Sequence, residues 1–537
     1  MELAKMEALI VDDHPGMRTA MRLTLSNLGV THSQFAQSAN EAIRRIKGQH
    51  YDIIVCDYNL GPEQDGQQLL ELLRHNNLID LSMIFIMVTA ERAYEKVVSA
   101  AELGPDDYLI KPFTAEVFRV RLERVLQKKS AMAPLFPVLQ AGDAAKASEL
   151  CNVLAASHPA YMIDFLRIKA ELLMGMGQAE AAQQVFEGIV SERAVPWAKL
   201  GLARTLRLQQ KDVEAESILE GVISESPEYL AAFDTLASVK DKLGKAGEAQ
   251  EVLSKAVAIS PNTLARQRMM GDVAMRNGDI TAAEAAYTTI VEKGRTSFFR
   301  DPNDYVNLSR ALLECGKNED AINRLREGRQ SFSNAPEAVF AASVMESQAY
   351  SQMGKAAAAK EALGRAMALK DSVPMTDELK LDLATACYRS GDEAMGARLM
   401  DQVVRNRHED ARLLQRVRKI YTDLGRELEG EQLVQSSTQA VVNLNNQGVL
   451  LAKQGNLAGA VELLTEAAAQ LPNNQQIVLN AAHAVLTLVN REGWNQDLML
   501  KAKRYLEEVR GSNATHPKLV QLQTLFNDVQ NKYGSRV

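Results

Sequence analysis

The chain has 537 residues, 46% of them hydrophobic and 5% aromatic, with a formal net charge of −7. That length exceeds what one hydrophobic core supports, so several domains or a repetitive architecture are expected. A mildly acidic chain gives no electrostatic reason to bind nucleic acid or anionic lipid, no window of about eighteen apolar residues occurs, and the start Met1-Glu-Leu-Ala-Lys-Met-Glu7 lacks a signal peptide's apolar core, so a cytoplasmic protein with no membrane insertion is expected.

From residue 1 to about 128, short β-rich apolar runs alternate with amphipathic helical stretches. The runs are Ala8-Leu-Ile-Val11, Ser33-Gln-Phe-Ala36, Ile53-Ile-Val-Cys56, Met83-Ile-Phe-Ile-Met-Val88 and Asp107-Tyr-Leu-Ile110. Continuous apolar runs between helices suit strands covered on both faces, which predicts a doubly wound α/β domain with a parallel sheet. Ligands of such sheets bind beyond the carboxyl ends of the strands, where Asp12, Asp13, Asp57 and Thr89 fall, and Lys111 follows the fifth run in the same way.

Three carboxylates at one place repel one another unless a counter-ion is present. A hard divalent cation relieves this, and magnesium, which keeps waters and accepts phosphate oxygens, is the natural candidate for Asp12, Asp13 and Asp57. Asp57 then reads as a nucleophile toward a phosphoryl group, Lys111 as a mobile positive charge and the Thr89 hydroxyl as a hydrogen-bond donor to a phosphoryl oxygen. Taken singly, each residue has a blander reading: a lone aspartate after a strand usually caps a helix, and a lone Lys-Pro usually marks a turn. Their joint placement carries the phosphoryl reading. His14, beside the acid pair, is read as a loop residue rather than a ligand or relay histidine.

These residues give the segment 6–128 its resemblance to a response-regulator receiver domain, which is flavodoxin-like. The matching motifs are Val11-Asp-Asp-His14, Val55-Cys-Asp-Tyr-Asn-Leu60, Thr89-Ala90 and Asp107-Tyr-Leu-Ile-Lys-Pro-Phe113. The resemblance implies that Asp57 is the phosphoacceptor for a sensor histidine kinase, that the Lys111-Pro112 bond is cis, and that the Asn59 backbone carbonyl completes the magnesium shell. It also makes Tyr108 an aromatic switch coupled to Thr89. Asn59 and Glu91 match receivers whose acyl phosphate is short-lived, which implies turnover at Asp57 in seconds to minutes.

A short non-glycine linker is expected at 129–131, and from 132 to 537 strands vanish. Ala203, Ala237 and Gly271 recur with a period of 34, as do Ala215, Ala249 and Ala283, and Leu219, Leu253 and Tyr287; Pro227 and Pro261 keep the same period. Small residues allow close helix approach and proline stops a helix, so the pattern resembles the tetratricopeptide repeat. About ten helical pairs are expected in this all-α region, with the spacing broken at 296–302, 371–377 and 409–440. The resemblance implies a solenoid whose first helices line a groove for a protein or peptide. Arg204, Arg207, Asp234, Asp241, Arg268, Asp272, Asn303 and Arg310 are assigned to that groove, and no cluster of Lys and Asn resembling the carboxylate clamp of some chaperone-binding relatives stands out. Trp197 and Trp494 read as core residues rather than partner anchors. The four cysteines are scattered singly and read as buried thiols.

No catalytic motif occurs beyond residue 131; Met174-Gly-Met-Gly-Gln178 is a helix end rather than a nucleotide loop. The chain therefore reads as a phosphoacceptor and adaptor rather than an enzyme, whose receiver state controls what the solenoid binds. The alternative is a phosphate sink or kinase inhibitor that drains or blocks transfer to another regulator. Direct DNA contact is disfavoured by the acidic charge and the lack of a terminal helix-turn-helix with a basic recognition helix.

Overall fold

The computed structural model describes residues 3–61, 65–76, 78–90, 105–261, 263–295, 300–512 and 516–534. The chain divides into two compact units, Met1–Asp304 and Tyr305–Val537.

The first unit opens with five parallel strands, β1 (Glu7–Val11), β2 (His32–Ala36), β3 (Ile53–Asp57), β4 (Ile84–Thr89) and β5 (Asp107–Ile110), in the order β2-β1-β3-β4-β5. Alternate residues of each strand face opposite sides, so one sequence feeds two cores. Ile10, Val55, Ile86 and Val88 meet Leu25, Phe118 and Leu122 on one face; Leu9, Ile54 and Phe85 meet Ile43, Leu69 and Leu73 on the other. Each such side chain, fully buried, contributes roughly 1.5–3 kcal/mol. The covering helices include α1 (Pro15–Asn27), α2 (Ala39–Gly48), α3 (Gly66–His75) and α4 (Ala115–Met132). Proline opens α1, where its missing amide costs nothing, and the Ser38 and Thr114 side chains cap α2 and α4 by accepting from Glu41 N and Val117 N. Strand order reverses between β1 and β3, which opens a crevice where Asp12 and Asp57 lie.

The structure has a continuous helix where a linker was expected at 129–131. Lys129 is buried, and Ala131 and Met132 pack with Leu135, Cys151 and Phe165, so the end of α4 already belongs to the helical region. Pro134 and Pro137 come only after it, and no residue between Gln127 and Met132 is glycine or proline.

After the helix Ala144–Ser157 the first unit continues as antiparallel pairs: Met162–Gly175 with Ala179–Glu192, Pro196–Leu208 with Asp212–Glu225, Leu230–Lys242 with Ala246–Ile259, and Leu264–Asn277 with Ile280–Gly294. The small residues with the 34-residue period are all buried at crossings. Ala237 meets Leu253 in one repeat, whereas in the next the larger Tyr287 lies against Gly271, where an added Cβ would come within 2.6 Å of its ring. The turn inside each pair takes a left-handed residue, glycine at Gly177 and Gly244 but Gln210 in the pair between them.

The second unit repeats this plan from Asn318–Ser331 through Gln496–Ser512 and ends on Pro517–Tyr533. The break in spacing at 409–440 has a structural cause. Glu427–Lys453 is one helix of 27 residues that pairs with Ala411–Asp423 at its start and with Leu457–Gln470 at its end. Trp494 packs into the second unit's core beside Tyr533, and Trp197 packs in the first unit under Arg167. Three cysteines are buried as expected; Cys315 is exposed.

Candidate functional site

β3 delivers Asp57 and the loop after β1 delivers Asp12 and Asp13, so that one carboxylate oxygen from each lies within 4.8 Å of the others. Lys111 follows β5 across a cis peptide bond to Pro112 and places its Nζ 3.1 Å from Asp12 Oδ2 and 3.1 Å from Asp57 Oδ2. Asp12 and Lys111 are mostly buried and Asp13 is exposed, so the site opens on one side. Burial pushes the Asp57 carboxyl above its ordinary value against the opposing pull of Lys111, and Asp12 adds to the rise. Burial also works against the Lys111 charge, but Asp57 and Asp12 outweigh it and hold its pKa above that of an ordinary lysine.

Three carboxyl groups gathered beside a single lysine bring more acid than base to one place. An all-oxygen donor set with that excess fits a hard divalent cation of the magnesium type, held by Asp12, Asp13 and Asp57.

Two residues not singled out from the sequence shape this site. Arg18, buried on α1, sends Nη1 to the carbonyl oxygens of Asp12 at 2.7 Å and Asp13 at 3.1 Å, fixing the acid loop by its backbone. Gly66 starts α3 so close to β3 that an added Cβ would stand 2.2 Å from the Asp57 carbonyl oxygen. Both contacts run to backbone atoms, which leave no pattern in the sequence.

Thr89 ends β4, is buried, and accepts at its carbonyl from Lys111 N at 2.7 Å. The Tyr108 hydroxyl is buried with no hydrogen-bond partner among the described residues, and burial holds it protonated far above the usual range. Asn59 is exposed in the loop that follows Asp57, His14 is exposed and donates its backbone N–H to Asp12 Oδ1 at 2.8 Å, and Glu91 lies outside the described residues.

Of the residues assigned to the groove, six are engaged within the chain. Asp234 takes a bidentate pair from the buried Arg266 at 2.7 and 2.8 Å, Arg268 gives one to Asp304 at 2.7 Å, and Asp241 pairs with Arg276. Arg207 donates to Ser238, Asp272 accepts from Tyr287 Oη, and Arg310 is paired with Asp382. Most of these are struts between helices about one repeat apart, which sequence spacing cannot distinguish from groove residues. Arg204 and Asn303 are exposed. The second unit instead brings together Asn445, Asn480 and Lys518 from three helices: Asn480 donates to Asn445, and Lys518 donates to Asn480. Burial alone depresses the Lys518 pKa, and no acidic group lies within ion-pair distance of it among the described residues. These three residues, 35 and 38 positions apart along the chain, meet only in the fold.

A parallel sheet carrying an acid pair, a strand-end aspartate and a lysine before a cis proline, followed by stacked helical pairs, defines a receiver-type domain joined to a helical-repeat region. The family model for the response regulator receiver domain matches residues 8–123, and that for the tetratricopeptide repeat matches 230–263. The chain is 32% identical over 123 residues to chemotaxis protein CheY of Pseudomonas aeruginosa, covering 23% of this chain and 98% of that protein. It is likewise 32% identical over 123 residues to CheY-3 of Vibrio cholerae, covering 23% of this chain and 93% of that one. A solved tetratricopeptide repeat protein from Parabacteroides merdae aligns with 52% of this chain and 98% of its own at 12% identity, with a TM-score of 0.38. The chain belongs to the response regulators, as a receiver domain followed by tetratricopeptide repeats. Among the described residues no helix is long and apolar enough to cross a membrane.

Proposed function

We propose that Asp57 accepts a phosphoryl group from a sensor histidine kinase and that the state of the receiver controls which protein the repeats bind. The observation that carries this is the Lys111 ammonium seated between Asp12 and Asp57, with Asp13 completing a three-carboxylate cluster. An Asp57 oxygen attacks phosphorus, the phosphorus–nitrogen bond of the donor phosphohistidine breaks, and the imidazole leaves with the electron pair and takes up a proton. Asp12, Asp13, Asp57 and the Asn59 carbonyl would hold Mg2+, which supplies neutralising charge at the phosphoryl oxygens when bound. Lys111 binds a phosphoryl oxygen from the other side, Thr89 hydrogen-bonds another, and Tyr108 follows Thr89, with Pro112 fixing the approach of the lysine. Asn59 and Glu91 orient the water that ends the acyl phosphate, so turnover at Asp57 is intrinsic and no second substrate is required.

The route to the repeats is α4. Its Lys129 bonds Asp106 Oδ1 at 2.8 Å and the Leu81 carbonyl oxygen at 2.6 Å, while Lys128 pairs with Asp164 of the first complete helical pair at 2.5 Å. Asp106 immediately precedes β5 and Leu81 lies three residues before β4, the strands that end near Lys111 and at Thr89. The partner is a protein or peptide, with Lys518 awaiting an acidic group; nucleic acid is not a partner, and the protein works in the cytoplasm.

The test is affinity capture with the full chain, with and without beryllofluoride. The captured set should change with the mimic and shrink for Lys518→Ala; an unchanged set on beryllofluoride would sink the switch. The second reading, a phosphate sink, is favoured by Asn59 standing exposed beside Asp57. Asp57→Ala abolishes a sink but leaves an adaptor able to capture its unphosphorylated-state partners.

A further inference from the structure

The helix Glu427–Lys453 has a fixed inner face. Gly430 lies under the Tyr421 side chain and Gly448 under Leu464, each with room for no added Cβ, while Val434 and Val441 are buried between them. The opposite face is therefore held toward solvent. Along it Gln432, Ser436, Gln439, Asn443 and Asn446 are exposed, with Leu428 81% and Leu450 54% exposed near its two ends. None of the 21 residues from Gln432 to Ala452 is charged, in a chain where 24% of residues are. Solvated helix faces normally carry charge every turn or two, and a charge-depleted exposed face is the composition of a contact.

We propose that this face joins a second copy of the chain, the two helices running antiparallel about a two-fold axis at Gln439. A two-fold contact uses the same patch twice, so each residue must suit the one equally far from the axis on the other side. Reflection about residue 439 sets Leu428 against Leu450, Gln432 against Asn446, Asn443 against Gln435 beside the stripe, and Ser436 against the uncharged Val442, while Gln439 meets itself. Leucine thus meets leucine, and amides, which both donate and accept, meet amides. The steps 432, 436, 439, 443, 446 and 450 alternate four and three, the spacing that keeps one stripe facing a partner helix. Each copy carries a net charge of −7, so most encounters between copies are repulsive, and this face is free of that penalty. A charged partner would find nothing here to select it. The stripe is about 33 Å long and about 10 Å wide, well short of the roughly 1,200 Å² total of a tight interface, so association is weak and concentration-dependent.

Sedimentation equilibrium of the full chain from about 1 to 200 µM, a range chosen for a small interface, should show the mass rising from 59.1 kDa toward twice that value. Gln439→Arg puts two guanidiniums on the axis and should hold the chain monomeric throughout. Gln432→Glu with Asn446→Lys in one chain sets an introduced carboxylate against an introduced ammonium twice in the antiparallel pair and should tighten it at least threefold; parallel helices would be driven apart. All these side chains are exposed, so melting curves should match the unsubstituted chain. A monomer at every concentration, or a dimer indifferent to Gln439→Arg, overturns the proposal; loss of the dimer in the double variant overturns the antiparallel arrangement.

Discussion

Arg18 lies outside the carboxylate cluster yet holds the carbonyls of both Asp12 and Asp13, so it would act on a bound cation through the loop that carries the acid pair. Supporting residues of this kind typically govern 10- to 100-fold in metal affinity. Arg18→Met should weaken Mg2+ binding about 10-fold in calorimetric titration with the receiver still folded; unchanged affinity would show that the loop holds itself. The thiols give a separate residue-scale expectation. Burial pushes Cys151 and Cys387 up to about 11 and Cys56 well above its ordinary value, while Cys315 is exposed. A raised thiol pKa keeps the unreactive protonated form as pH rises, so iodoacetamide at about pH 8 should label Cys315 alone by mass spectrometry. Labelling of Cys56 under native conditions would contradict its burial. The receiver motifs were legible in the sequence because each is a few consecutive residues at a strand end; Arg18 was not, since its partners are main-chain atoms.

Repeats were legible at the scale of elements where small and large residues alternate in phase. The exchange between Ala237 with Leu253 and Gly271 with Tyr287 makes the pairing testable. Gly271→Ala should cost about 1–3 kcal/mol by overpacking against the Tyr287 ring. Adding Tyr287→Leu, which restores the neighbouring repeat's combination, should recover most of that loss in denaturant unfolding; simple additivity of the two costs would refute the contact. The stretch 409–440 hid its structure for a physical reason. A helix that ends one pair and begins the next needs no turn residue between the two roles, so the punctuation that marks a repeat is missing.

Within the first unit, the acid site lies at the carboxyl ends of the strands and the Lys129 bonds lie at their amino ends. The strands β4 and β5 therefore run between the acid site and the Lys129 bonds, which leave the carboxyl edge uncovered by α4. Lys129→Met keeps the stem length but removes both bonds. It should abolish the beryllofluoride-dependent change in hydrogen exchange of Met162–Gly175 while beryllofluoride still binds; a preserved change would place the coupling elsewhere.

The sequence by itself determined the sheet, the five motif residues of the receiver, and the existence of helical repeats, because strand alternation, strand-end chemistry and a 34-residue period are all local or periodic signals. Only the tertiary structure decided that α4 runs unbroken into the repeats, that most of the supposed groove charges are struts between neighbouring helices, and that Asn445, Asn480 and Lys518 meet. Each of these depends on which side chains face one another across separate helices, and spacing along a chain fixes the face a residue occupies without naming what stands opposite.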